Sequence, residues 1–283
     1  EKKVLADRDP EDLHQMRVEL RRLETALQVF DRVVELPKSI RGKRLQTLMR
    51  VLGKLRDLDV QIAELNDRYA PTLSDLERPV LKTAHKALRK YRAQAFSRVQ
   101  QVLSSSAHAQ FKADWDAWLQ HPTYQPLATL PLGSLIPDLL SPLLSRLLLH
   151  PAWLIALADI SDANSHLFHQ LRKACKRVRY QAEFFLEFYG DEFRAWIAEI
   201  KAVQSNLGTL HDCQVLQTQL AQVLPKTGVP AGLCQAITDG QTTAMTNWDV
   251  LRQRYLHPSW RSYLRQLVLQ PASPSDKHLQ TNP

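Results

Sequence analysis

The chain has 283 residues, of which 44% are hydrophobic and 23% charged, a composition typical of a folded globular protein. Its length suits one large domain or two domains of ordinary size. Its net charge of +8 makes nucleic acid, acidic membrane surfaces and phosphate-rich ligands the natural partners. The three cysteines, Cys175, Cys213 and Cys234, have no CxxC spacing. This argues against a disulfide framework and a structural zinc site, and suits a reducing cytosol.

The first 120 residues are predicted to be helical, because apolar residues recur at spacings of three and four. Asp9 is a candidate N-cap, and Pro10 suits the first turn that follows it. This helix is expected to run to about Val34 and to stop before Pro37. Three more helices are predicted at about 38–69, 77–105 and 110–120.

Residues 121–133 are predicted to form a linker, and a leucine-rich helix is predicted to follow at about 135–149. Pro137, Asp138, Pro142 and Arg146 interrupt this apolar stretch, so it lacks a clean span of about 18 apolar residues. A helix buried in a protein core is therefore expected, and no membrane span. Later helices are predicted at about 162–189, 191–223, 229–256 and 259–269, with a disordered tail at 271–283.

Two motifs recur at an offset of 155 residues, which predicts a tandem duplication. His14 matches His169, Arg17 matches Arg172, and "LGKLRDLDV" (52–60) matches "LGTLHDCQV" (207–215). The predicted fold is all-α, with two pseudo-symmetric four-helix-bundle units at 1–120 and 134–270 and a basic cavity or surface between them. Shifted back by 155 residues, the leucine-rich helix falls before Glu1, so a helix upstream of Glu1 is expected in the full-length protein.

Positive charge is concentrated on strips of these helices. His14, Arg17 and Arg21 lie within about 60° on a helical wheel, with Arg22 on the flank. Like charges at these spacings repel, so stability alone does not select the pattern. The remaining candidate phosphate-binding residues are Lys43, Arg50, Lys54, Lys82, Lys86, Arg89, His169, Arg172, Lys173, Lys176, Arg177, Arg179 and Lys201.

Glycines and aspartates accompany these strips. Gly53 and Gly208 fall in helix interiors, where glycine costs about 1 kcal/mol relative to alanine, so a close approach between helices is expected at both. Asp57 and Asp212 are expected to orient arginines through charge-assisted hydrogen bonds. The cations beside each leading histidine should favour its neutral form, and a bound phosphate would reverse that preference.

"LHQMRVELRRLETALQVF" and "FHQLRKACKRVRYQAEFF", each followed by an LGxLxD helix, resemble the two halves of a CHAD domain, the conserved histidine α-helical domain. The resemblance covers essentially the whole chain. It implies two helical bundles around a basic pore, binding of inorganic polyphosphate, targeting to polyphosphate granules in some members, and frequent association with a CYTH triphosphate-tunnel domain. Glu24 stands where the second copy has Arg179, while Arg50 and Lys54 are matched by Ser205 and Thr209. The binding surface is therefore expected to lean toward the first unit.

Other functions remain open at this point. A polyphosphatase or kinase is disfavoured because the sequence has no GxxxxGK[ST], HExxH or GxSxG motif and no carboxylate cluster suited to magnesium. An accessory domain of a polyphosphate- or triphosphate-processing protein stays an alternative. No catalytic residue, metal or cofactor is therefore predicted. A histidine phosphotransfer module would also place a histidine on a helical bundle, but it does not need such dense cations. General polyanion or nucleic-acid binding is permitted by the basic strips, although they lack interleaved aromatic residues.

Overall fold

The computed structural model describes residues 1–40, 43–225 and 228–271, and within them the fold is all-α apart from one two-stranded ribbon. The helices of the first half are α1 (Lys2–Ala6), α2 (Pro10–Val29), α3 (Lys43–Glu64), α4 (Arg78–Leu103) and α5 (Ser106–Gln120). The ribbon pairs β1 (Val34–Glu35) antiparallel with β2 (Thr123–Tyr124). The helices of the second half are α6 (Leu132–Leu148), α7 (Ser165–Ala182), α8 (Asp191–Val223), α9 (Ala231–Met245), α10 (Trp248–Leu256) and α11 (Pro258–Leu269).

The contacts divide the chain into two compact units. Unit 1 comprises Glu1–Ala128 and Leu216–Ile237. Unit 2 comprises Thr129–Val215 and the described residues from Thr238 onward. The last turns of α8 and the first turns of α9 therefore group with unit 1. The predicted tail, 271–283, lies outside the described residues except for its first residue.

The helix boundaries agree with the sequence patterns at some ends and differ at others. Asp9 caps α2 as predicted, because its side chain accepts a hydrogen bond of 2.8 Å from the backbone N–H of Glu11. The helix ends at Val29 and not at Val34, since Val34 pairs with Tyr124 in the ribbon. Residues 38–40 form a turn, so the predicted start of the second helix at Lys38 was wrong.

The helix predicted at 229–256 is broken in two after Met245. The Thr246 hydroxyl donates to the carbonyl oxygens of Thr242 (3.2 Å) and Thr243 (3.0 Å), a local bond that competes with helix continuation. Trp248 then anchors the start of α10, because it is buried and its indole N–H donates to the Ile155 carbonyl at 2.8 Å. The helix predicted to end near 189 likewise ends at Ala182 and continues as a 3₁₀ turn, Glu183–Phe188.

In unit 1, α3 packs on both α2 and α4. Its leucine face is buried as predicted, with Leu52 and Leu55 almost inaccessible to solvent. Arg92 of α4 joins this core to the N-terminal segment. Its Nε donates to the buried Asp59 carboxylate at 2.6 Å, and its two terminal nitrogens donate to Asp7 at 2.7 and 2.6 Å. The network pairs the buried Asp59 charge through its Oδ1, while Oδ2 has no hydrogen-bond partner among the described residues.

In unit 2, α6 packs against α7 and α11. One side of α6 lies in the core through Ile136, Leu140, Leu144, Leu147 and Leu148. Leu132–Leu154 is the one described stretch with the length and mean hydropathy (1.4) of a membrane-spanning helix, and 28% of its most apolar window is buried inside the protein. Trp153, stacked between Trp248 (5.3 Å) and Tyr255 (4.5 Å between ring centroids), holds the end of this segment in the core.

Candidate polyanion-binding site

In unit 1, Arg17 of α2 lies across the mid-helix glycine of α3. Its Nη1 donates to the Gly53 carbonyl oxygen at 3.1 Å and lies 3.6 Å from the Asp57 carboxylate. A Cβ at position 53 would stand 3.8 Å from Nη2 of Arg17. Partial burial lowers the pKa of the Arg17 guanidinium, while the Asp57 charge opposes that shift. Asp57 is therefore an ion-pair partner of this arginine, at a distance longer than the predicted hydrogen bond.

In unit 2, Arg172 of α7 occupies the corresponding place over Gly208 of α8. A Cβ at position 208 would come within 3.1 Å of Nε and 3.4 Å of Nη2 of Arg172, so the fit is tighter than in unit 1. The group that each glycine faces is therefore an arginine side chain from the neighbouring helix. At Gly208 a Cβ would crowd that arginine, whereas at Gly53 a Cβ would make an ordinary van der Waals contact with it.

The strip on α2 is partly neutralised within unit 1. Arg21 donates to Glu24 at 2.8 Å, and Arg22 lies 3.6 Å from Glu19. Each of the three strip arginines thus has a carboxylate partner, since Arg17 lies beside Asp57. A polyanion that binds here must compete with these carboxylates, so a larger count of basic residues in unit 1 does not translate directly into a more positive surface.

Unit 2 arranges its cations differently. Lys173 and Arg177 are exposed on α7, whereas Arg172 and Lys176 are half-buried. Arg179 leaves only 12% of its side chain exposed, because it packs 4.2 Å over the Tyr180 ring and lies 3.7 Å from Glu183. Arg179 is therefore set into the surface by its neighbours, and it contributes less to an exposed strip than its helical position suggests.

A pair of histidines lies beside Arg172. The rings of His169 on α7 and His211 on α8 have centroids 4.0 Å apart and planes inclined by 38°. Desolvation, then the charges of His211 and the neighbouring cations, lower the pKa of His169 to about 4. Desolvation and the same cations also lower the pKa of His211. Both rings are consequently neutral at pH 7.

The sequence patterns missed His211. It lies within "LGTLHD", directly before Asp212, and the offset of 155 aligns it with Arg56. The alignment could have identified His211, because Arg56 in the first copy and His211 in the second occupy the same position of the motif. His14, the residue of unit 1 that matches His169, is half-buried on α2.

The other candidate cations are solvent-exposed on their helices. They are Lys43, Arg50 and Lys54 on α3, Lys82, Lys86 and Arg89 on α4, and Lys201 on α8. The charge of Arg89 acts on His85 and, after desolvation, helps to lower the pKa of that ring. Among the described residues, no three His, Cys, Asp or Glu side chains form a group that could hold a metal ion.

The family follows from comparison with known proteins. The family model of the CHAD domain matches residues 1–221, so the chain belongs to the CHAD family. The solved structure described as the CHAD domain from the plant Ricinus communis is 26% identical, with a TM-score of 0.60, and the match covers 92% of this chain and 82% of that one. PptA from Streptomyces chartreusis shares the fold at 14% identity, with a TM-score of 0.58 and coverage of 91% and 92%. No curated protein sequence matches the chain.

Proposed function

We propose that this protein binds inorganic polyphosphate without catalysing its turnover. The observation that carries the proposal is the repeated placement of a strip arginine over a mid-helix glycine, Arg17 on Gly53 and Arg172 on Gly208. Gly208 costs about 1 kcal/mol of helix stability relative to alanine, and it leaves room for Arg172, which a Cβ would crowd. Around these two arginines lie the half-buried His14 and the exposed Lys173 and other strip cations.

Polyphosphate suits such an arrangement chemically. It is a flexible chain with about one negative charge per phosphate and no base edges to recognise. Rigid arginine forks bind phosphate oxygens in pairs, lysines add point charge, and displaced counterions supply favourable entropy. Because packed helices already hold the donors, little conformational entropy is lost when the ligand binds.

By analogy with the family, targeting to polyphosphate granules and association with a CYTH domain or protein belong to the same proposal. A cytoplasmic location accords with it too. Nucleic acid is the second candidate ligand, because the same cations would bind its phosphates.

The proposal is tested by measuring binding of long-chain polyphosphate and of duplex DNA of equal total charge across a salt series. We expect polyphosphate to bind more tightly at every salt concentration, and both affinities to fall as salt rises. Equal affinities would reduce the function to general polyanion binding. Incubation with magnesium and polyphosphate should leave the chain length unchanged, and shortening would establish an enzyme instead.

A further inference from the structure

One of the positions at which the two copies of the shared motif differ carries a titratable ring in unit 2. Where unit 1 has Arg56 with a fixed charge, unit 2 has His211, whose ring packs against His169 at a centroid distance of 4.0 Å. Lys173 and Arg172 lie on the same helix as His169, one turn further on. Two titratable rings therefore adjoin the cations that are proposed to hold phosphate.

We propose that His169 and His211 form a proton-coupled phosphate site, in which the pair takes up a proton as polyphosphate binds. The inference rests on the proposed function and adds a specificity-determining residue, His211, to it. The affinity of unit 2 for polyphosphate would then rise as the pH falls, whereas the charge of its arginines stays constant.

The surroundings of the pair explain why the proton is absent before binding. His169 Nδ1 and Arg172 Nε are buried and have no hydrogen-bond partner in the part of the chain that the structure describes. A proton on Nδ1 would thus be desolvated and unpaired, which disfavours the imidazolium form. The same surroundings lower the pKa of both rings from their ordinary value of 6.5.

The charges that lower the pKa of the two rings are Arg172, Lys173 and Lys176 on α7, together with His211 acting on His169. The elements that pack on α7 carry further titratable residues. They are Asp138 and Arg146 on α6, His150 before the Pro151–Leu154 turn, and Glu183 and Glu187 in the 3₁₀ turn after α7. Asp212 follows His211 on α8.

A polyphosphate segment beside this cluster adds negative charge next to the two rings. It would favour the imidazolium form and bring the apparent pKa of the pair back toward its ordinary range, a property of the two rings together. One proton taken up per bound segment makes the affinity rise by up to about tenfold per pH unit. With a bound pKa near the ordinary value, the affinity should increase about tenfold in total between about pH 7.5 and about pH 5.5. Long chains keep their own charge nearly constant over this range, because their inner phosphates stay ionised.

Titration calorimetry of the wild-type protein tests the proposal directly. Near pH 6.5, binding of long-chain polyphosphate in two buffers of different ionisation enthalpy, PIPES and imidazole, should reveal uptake of about half a proton per site. No uptake, or a release of protons, would overturn the proposal even if binding is tight. Absence of binding at every pH would instead refute the proposed function, so the two failures are distinguishable.

Variants assign the proton to the pair. His169→Asn with His211→Asn should abolish the uptake and flatten the pH dependence of affinity, whereas His121→Gln, an exposed histidine outside the site, should change neither. His211→Arg should bind at least as tightly at about pH 7.5 while losing most of its pH dependence, because a fixed charge replaces the titrating one, as Arg56 does in unit 1. Undiminished uptake in the double asparagine variant would refute the assignment.

Discussion

Replacing the two mid-helix glycines by alanine should separate helix stability from ligand binding. Gly53→Ala places a Cβ at 3.8 Å from Arg17 Nη2, an ordinary van der Waals contact, whereas Gly208→Ala places one at 3.1 Å from Arg172 Nε. In unit 2 the guanidinium must therefore shift by a few tenths of an ångström. Gly53→Ala should raise the free energy of unfolding by about 1 kcal/mol, and Gly208→Ala by less.

The effect on affinity should run the other way. A phosphate contact by a charged group contributes about 1.5–3 kcal/mol, so a partial displacement of Arg172 should weaken polyphosphate binding about three- to tenfold. Gly53→Ala should change the affinity less than about twofold. Fluorescence-anisotropy titration at fixed salt measures both. In an Arg172→Ala background, Gly208→Ala should have no further effect on affinity, because the guanidinium that the added Cβ would displace is absent. Equal losses for the two alanines, or full additivity in that background, would refute the reasoning.

Three further predictions concern ion pairs. Glu24→Gln should strengthen polyphosphate binding about two- to fivefold at low salt, because Arg21 loses the carboxylate that it contacts at 2.8 Å, and the gain should shrink as salt rises. Arg92→Met should lower the free energy of unfolding in urea by about 3–5 kcal/mol, because Asp59, whose side chain is 4% exposed, would keep a buried charge without its partner. Asp249, whose pKa is lowered by its hydrogen bonds to Arg252 and to the Leu157 N–H, stabilises the fold above its unfolded pKa, near 3.8. That stability should disappear as the pH falls through the lower folded pKa, so Asp249→Asn should show a shallower acid-induced loss of stability.

Each of these changes has a matched control. Glu19→Gln removes a carboxylate 3.6 Å from the more exposed Arg22 and should raise the affinity less than Glu24→Gln. Arg98→Met removes an exposed arginine of α4 that contacts only Gln101 among the hydrogen bonds described, and it should leave stability within about 0.5 kcal/mol of wild type. Asp116→Asn serves as the exposed-carboxylate control for the acid titration. Indistinguishable results for a variant and its control would contradict the corresponding argument.

The periodicity of apolar residues was enough to predict the helices and their buried faces. Leu52 and Leu55 are buried where the spacing of α3 placed them, and α8 begins at Asp191 and ends at Val223, as predicted. These features depend on local spacing, which the sequence displays directly. The end of α2 was missed because a pairing with Tyr124, distant in sequence, decides it.

The details of the site could be predicted only in part. Arg17 and Arg172 were identified from the repeated motif, and Asp57 was correctly paired with an arginine. That an arginine covers each glycine depends on the crossing of two helices and on a side-chain conformation, neither of which is encoded by spacing. The packing of Arg179 on Tyr180 is of the same kind, since a helical wheel gives a direction but not the neighbour that a long side chain finds.

The salt dependence of polyphosphate binding in Arg17→Ala with Arg172→Ala tests the central claim most directly. Two exposed arginines outside the site, Arg98 and Arg265, provide the matched double alanine control. The plot of log affinity against log salt should be linear, and the site variant should lower its slope by about one to two units and weaken binding at least tenfold. The control should stay close to wild type. Equal slopes and affinities for the two double variants would mean that the repeated arginines do not hold the ligand, and would contradict the account.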